Sequence, residues 1–194
     1  LGTDNVTAWA TYGKVDGLYW MMINALGISA TTFVGQNFGA GRLDRVRKGA
    51  GACMVIGVVL TASVGVVLYN GGHLLVELFT TDRQVQAISM DLLHFMVPTF
   101  ITYIAIEILS GTLRGVGDAW MPLVITGIGV CAVRVLWIML VLPHYHTIIG
   151  AAFCYPLTWS LTTVAFVIYY YFFSSLRRWK LKPLKKRFGV YKPF

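Results

Sequence analysis

The sequence predicts an all-α integral membrane protein, on three observations. First, 57% of the 194 residues are hydrophobic and only 12% are charged, against about 25% charged in an average soluble domain. With a mean hydropathy of +0.68, a water-soluble globule of this size cannot bury its own apolar surface, and intrinsic disorder fails on the same numbers. Second, five mostly apolar runs, at about 13–38, 49–70, 88–111, 119–142 and 148–173, punctuate the chain, and each reaches the roughly 20 residues that cross the hydrocarbon core as a helix. Third, the runs do not alternate with the period of two that barrel strands require. Only helices and closed barrels satisfy every backbone group in lipid, so these runs read as helices.

Each element follows from its own residues. The first run carries a polar stripe of Asp16, Trp20, Asn24 and Thr31, and ends in the glycine-rich GQNFGAG at 35–41. Its glycines, Gly35, Gly39 and Gly41, let a helix stop tightly and let another backbone come close. Gln36 and Asn37 bring amides that can cap the last carbonyls. A basic connection at 39–48 leads to the second run. The stretch 71–86 reads as the longest connection, amphipathic in pattern, and its TDRQ at 81–84 fits a capping box opening the third helix. The third run, with Asp91 and His94 at its interfacial start, holds Glu107 among apolar neighbours and ends in the tight turn Arg114-Gly115-Val116-Gly117-Asp118. The fourth run contains Arg134 in its outer half, placed to snorkel or pair with an acid. Its GIGVCA at 127–132 matches a dinucleotide-fingerprint spacing but lies mid-span, so it reads as a packing motif. A turn at 143–147 precedes the fifth run.

The formal charge of +8 resides in the tail at 177–194, which holds eight basic residues and no acid. Next to apolar spans such a tail is a membrane-surface flank, not a nucleic-acid patch. Arg42, Arg45, Arg47, Lys48, Arg114 and the tail fall on one side of alternating spans, and Lys14 and Arg83 on the other. The positive-inside rule places the first group, and the C-terminus, in the cytoplasm. The expected organisation is a transmembrane unit at 1–176 and a basic cytoplasmic tail at 177–194, in a multi-pass protein of the cell (plasma or inner) membrane. A membrane protein that opens outside, without Met and with five spans, reads as a piece of something larger.

Ionisable groups within spans are expensive and point to function. Glu107 is the sharpest. It shares a helical face with Phe100, Tyr103, Ser110 and Gly111, and stands two turns before Arg114. A cation or proton site and an ion pair with Arg114 are the two readings. Asp16 and Asn24 are weaker cavity candidates. Asp16 has an interfacial alternative beside Lys14, and Asn24 a helix–helix hydrogen bond. Tyr19, Trp20, Trp120, Trp159, Tyr169, Tyr170 and Tyr171 read mostly as interfacial belts. Cys53, Cys131 and Cys154 are far apart in sequence and read as apolar fillers. His144 and His146 lack a third nearby ligand, so no metal site is expected. A phosphate loop is excluded because GQNFGAG has neither the lysine nor a preceding strand.

Three segments in order, ATTFVGQNFGAGRLDRVRKG at 30–49, LFTTD at 78–82 and SGTLRGVGDAWMP at 110–122, resemble the C-terminal half of a MATE (multidrug and toxic compound extrusion) transporter, and the resemblance runs over about 6–178. It implies part of a six-helix lobe, the spans being helices eight to twelve of twelve, with the seventh helix and the N-terminal lobe as the missing partner. It implies alternating-access exchange of sodium or protons for cationic amphipathic drugs, with no other cofactor. Arg114, Gly115, Gly117 and Asp118 join the 35–41 residues as structural motif positions. The family's helix-ten acid often stands one turn earlier, where this chain has Tyr103. Alternatives are a flippase-like transporter of lipid-linked or polysaccharide precursors and a non-transporting membrane subunit. An intramembrane enzyme would need a convergent constellation, and neither HExxH nor GxSxG occurs in the sequence.

Overall fold

The structure, a computed structural model, describes residues 2–144 and 147–173. Five helical stretches long and apolar enough to cross a membrane follow one another. They are α1 (Thr3–Gly39), α2 (Leu43–Phe79), a third span of α3 (Arg83–Met96), a 3₁₀ turn (Val97–Phe100) and α4 (Ile101–Gly115), a fourth of α5 (Trp120–Thr126), a π-helical segment (Gly127–Ala132) and α6 (Val133–Leu140), and a fifth of α7 (Ile148–Ala152), α8 (Cys154–Ile168) and a second π segment (Tyr169–Phe173). The basic tail and His146 lie outside the described residues.

The third span is the centre of the bundle. It packs on α1, α2 and α8, and Leu92, Phe100, Ile104 and Leu113 are buried against Tyr19, Ile23, Trp159 and Phe166. The outer surface is apolar: Met21, Val66, Leu78 and Met139 are all exposed. Such a surface suits lipid and not water.

The close approach of α1 to α4 is built from glycines. A Cβ at Gly111 would stand 2.7 Å from the Gly27 carbonyl, and one at Gly115 would stand 2.7 Å from the Thr31 carbonyl. Small residues at four-residue spacing permit this backbone contact in membranes.

The turns after α1 and α4 are the same device. Gly41 (φ 72°) and Gly117 (φ 84°) are the described positive-φ glycines. In the first, Arg42 N–H donates to the Asn37 carbonyl (2.8 Å) and Gly41 N–H to Phe38 (3.0 Å); in the second, Asp118 N–H donates to Leu113 (2.9 Å) and Gly117 N–H to Arg114 (3.0 Å). Both are Schellman C-caps, which need a residue in the left-handed conformation. The Asn37 amide does not cap the last carbonyls as expected but donates back to the Phe33 carbonyl inside α1 (2.8 Å), and backbone amides of the turn close the end. The Gln36 side chain is exposed, and its backbone carbonyl is what accepts, from Ala40 N–H.

Three further expectations are corrected. The stretch 71–86 is not a long connection, because α2 runs to Phe79 and only residues 80–82 intervene. Gly72 sits where Leu93 packs, a Cβ there lying 2.8 Å from its Cδ2, and Val76 is buried; this contact keeps a Gly- and His-containing segment helical. The third helix is capped by Asp82, not Thr81: the Asp82 carboxylate accepts from Gln84 N–H (2.8 Å) and Val85 N–H (3.3 Å), and the reach-back comes from Gln86 Nε2 to the Thr80 carbonyl. Tyr19 and Trp159 are not in an interfacial belt but fully buried, with Trp20 packed against the same core.

Candidate functional site

Glu107 is held midway along α4 with its residue 9% exposed. Tyr103, one turn earlier, donates its hydroxyl to Glu107 Oε2 (3.1 Å). Arg114, two turns later, places a guanidinium nitrogen 3.6 Å from Oε1, its own side chain 44% exposed. The Glu107–Arg114 pair, one of the two readings of the sequence, is therefore formed. Its length, and the exposure of one partner, make Arg114 a neutralising neighbour that can be displaced. The carboxylate lies directly over Gly27 of α1, where any Cβ would strike it. A larger residue at 27 would evict the carboxylate, and no sequence pattern signals that pairing.

The other face of Tyr103 belongs to an aromatic cluster. Trp20 of α1 meets it edge-on with centroids 4.6 Å apart, and Trp159 of α8 packs at 5.6 Å. Trp20 and Trp159 also pack on each other at 5.8 Å. Trp20 Nε1 donates to Asp16 Oδ2 (2.6 Å). Asp16 is thus tied to a ring that touches Tyr103, and Tyr103 is tied to Glu107. Three of the four sequence candidates form one connected unit. Asn24 does not join it; one turn beyond Trp20 on α1, it is exposed, and no hydrogen bond among the described residues links it to the cluster. The i to i+4 spacing of Asp16–Trp20 and Tyr103–Glu107 was available in the sequence. The meeting of Trp20, Tyr103 and Trp159 from three helices was not.

The cluster continues outward. Trp159 packs on Tyr155 at 5.7 Å, and the Arg134 guanidinium lies 3.9 Å from the Tyr155 ring centroid. Among the described residues Arg134 pairs with no acid, so the cation–π contact replaces the ion pair that was an alternative. Arg134 also borders a groove of about 430 Å³ between α1, α6, α7 and α8, walled by Val6, Trp9, Ile138 and Ile148. At the opposite end, Tyr169 donates to Asp118 Oδ2 (2.6 Å) and ties the end of the fifth span to the turn after α4. Gly129, in the GIGVCA segment, sits against the Thr162 side chain, so this motif does pack. The described residues contain no group of three His, Cys, Asp or Glu placed to hold a metal.

Chemically, the arrangement offers one buried carboxylate with a phenol donor, a displaceable cation and flat aromatic faces nearby. Such a set can exchange one positive partner for another.

Comparison with known proteins gives a consistent result. The MatE family model matches residues 1–140. A probable multidrug resistance protein, YoeA, from Bacillus subtilis is 24% identical over 187 residues, which are 95% of this chain and 39% of that protein. A probable multidrug resistance protein, NorM, from Bradyrhizobium diazoefficiens is 28% identical over 160 residues, 78% of this chain and 34% of its own. The chain therefore spans well under half the length of these relatives. Among solved structures, a multidrug resistance MATE family transporter of the MOP superfamily in an outward-facing conformation superposes with a TM-score of 0.80 at 14% identity, covering 88% of this chain and 38% of that one. A MATE structure in the bent conformation gives a TM-score of 0.80 at 16% identity over 89% and 38%. With the family model over most of the chain and the same helical fold in its structural neighbours, this multi-pass membrane chain belongs to the MATE family.

Proposed function

We propose that the chain supplies part of a cation-coupled antiporter that exports cationic amphipathic compounds, and that Glu107 carries the coupling charge. The observation that supports this most directly is the Glu107 carboxylate, buried in an apolar span between the Tyr103 hydroxyl and Arg114. An ionised carboxylate is kept in such a place only with partners. Sodium or a proton competes with Arg114 for that charge. A drug cation competes for the same charge and for the Trp20 and Trp159 faces. The names of the curated relatives agree with the multidrug part of this reading, while the coupling ion and substrate range are inferred from the chemistry. Alternating access further requires two units rocking about a central site, so an N-terminal lobe is the implied partner. The positive-inside asymmetry supports a cytoplasmic C-terminus, which a reporter fused after Phe194 tests; periplasmic reporter activity would reverse the orientation.

The deciding experiment is ethidium efflux from membrane vesicles against an imposed sodium or pH gradient, with the protein expressed from its complete gene and normalised to its amount. Glu107→Gln keeps the shape and removes the charge. Folded protein with gradient-independent transport is the expected result, and Glu107→Asp is expected to retain part of the coupling. Wild-type coupling in Glu107→Gln would assign Glu107 to structure alone.

A further inference from the structure

The third span breaks next to the site, and the break is held by hydroxyl groups. Pro98 removes a backbone donor, and the 3₁₀ turn at Val97–Phe100 replaces regular α-helical bonding. In lipid there is no water to satisfy a disturbed carbonyl. Pro98 withholds its amide from the His94 carbonyl, and four other carbonyls beside the break accept side-chain hydroxyls in addition to their helical bonding. Two donors are local, Thr99 to Met96 (2.6 Å) and Thr102 to Thr99 (2.7 Å). The other two come from different helices. Tyr19 of α1 donates to the Phe100 carbonyl at 3.3 Å, with its ring stacked on Phe100 at 4.1 Å. Thr163 of α8 donates to the Thr102 carbonyl at 2.7 Å. Phe100 and Thr102 flank the residue where α4 begins, and Tyr103 follows at once.

Each of these two donors is also coupled to an aromatic contact on Tyr103. Trp20 follows Tyr19 in α1, and Trp159 lies one turn before Thr163 in α8; both rings pack on Tyr103. A helix gripped only by apolar packing can rotate by a fraction of a turn at small cost. A helix whose first-turn carbonyls are hydrogen-bonded by two neighbours cannot, and the Tyr103 hydroxyl is aimed by that first turn. We propose that Tyr19 and Thr163 are positioning residues that grip the first turn of α4 through its backbone and so set how Tyr103 meets Glu107. As a statement about cation coupling this rests on the function proposed above; as a statement about the placement of Glu107 it does not.

The test removes each hydroxyl while keeping its shape. Tyr19→Phe retains the stacked ring, Thr163→Val is isosteric, and Thr163→Ser restores a donor. Ethidium efflux is measured in vesicles from the complete gene, with sodium varied at fixed pH and pH varied at fixed sodium. Loss of one such hydrogen bond is expected to shift the half-saturating sodium or proton concentration by about three- to ten-fold. Maximal rate and protein amount stay within about two-fold, and Thr163→Ser returns the wild-type value. A second measurement does not need transport: the rate at which a hydrophobic carbodiimide modifies Glu107, read by mass spectrometry with Glu77, exposed on α2 outside the cluster, as internal reference. Tyr19→Phe and Thr163→Val should change the Glu107 rate by about three-fold or more and leave Glu77 unchanged. If wild-type vesicles show no ethidium efflux in either gradient, the transport reading fails and the labelling decides this inference alone. If Tyr19→Phe does not reach the membrane, the Thr163 pair decides it. Wild-type half-saturation together with wild-type Glu107 labelling overturns the proposal, as does a loss of protein amount with both quantities unchanged.

Discussion

The third and fourth spans are both interrupted helices, and they treat the interruption in opposite ways. The third is broken by Pro98 into α3 and α4, and neighbouring helices supply hydroxyls to the break. The fourth is widened by a π segment at Gly127–Ala132, with none of that segment buried. Half of the apolar window of the third span is buried by other helices, and none of the fourth. The contrast teaches that irregular backbone in lipid is a matter of supply. Where donors from other helices are at hand, a proline break serves as a fixed point beside a charged residue. The fourth span, packed on α8 through Gly129 and exposed elsewhere along that segment, answers by widening its own turns, since π segments keep every bond within one segment.

The comparison is sharpened most by packing. Phe100→Ala removes a buried ring stacked on Tyr19, and should cost about 3–5 kcal/mol in reversible unfolding in mixed micelles. Leu136→Ala in the fourth span, where the side chain is 55% exposed, should stay within about 0.5 kcal/mol. Equal losses would erase the distinction between a packed span and a lipid-facing one.

Glycine substitution is expected to separate the spans next. Gly111→Ala pushes a methyl against the Gly27 carbonyl and should cost about 1–3 kcal/mol, with α1 and α4 forced apart. Gly127→Ala meets nothing within 4 Å and should be neutral or stabilising by up to about 1 kcal/mol. A stabilising Gly111→Ala would mean that α1 and α4 do not cross as described.

The smallest difference concerns how the spans begin. Asp82 caps α3 with its carboxylate, whereas no side chain caps α5 at Ala119. Asp82→Ala should cost about 1 kcal/mol and Asp82→Asn much less, and amide exchange should rise at Gln84 and Val85 first. Ala119→Gly should change little at the start of the fourth span, because there is no cap to lose.

Much of this was legible in the sequence, for identifiable reasons. Five helices follow from run length and the absence of alternation. Glu107 stands out because a carboxylate is rare among apolar neighbours, and its bonds to Tyr103 and Arg114 lie along its own helix, where spacing fixes proximity. The Asp16–Trp20 bond is legible for the same reason. The rest depends on which face of one helix meets another. Nothing in the sequence pairs Gly27 with Glu107, Tyr19 with Phe100 or Thr163 with Thr102. The aromatic residues were misread for a related cause: Trp159 and Trp120 look alike in sequence, yet one is 2% exposed and the other 77%. The stretch from Gly71 read as a connection because its pattern is amphipathic and not continuously apolar, while in the fold Leu93 occupies the space a side chain at Gly72 would fill.

The short connections on either side of α2 have a mechanical corollary. Only residues 40–42 separate α1 from α2, and only 80–82 separate α2 from α3. Both helices flanking the first turn are 37 residues long, or roughly 55 Å at the usual rise. The Schellman cap fixes their relative height, so neither can slide along the other like a piston. What is left to such a hairpin is tilt, and tilt is amplified by length: about 5° at the turn carries the far end through roughly 5 Å. The two helices act as levers pivoted at Gly41, with small angular play at one membrane face becoming a displacement of side-chain size at the other.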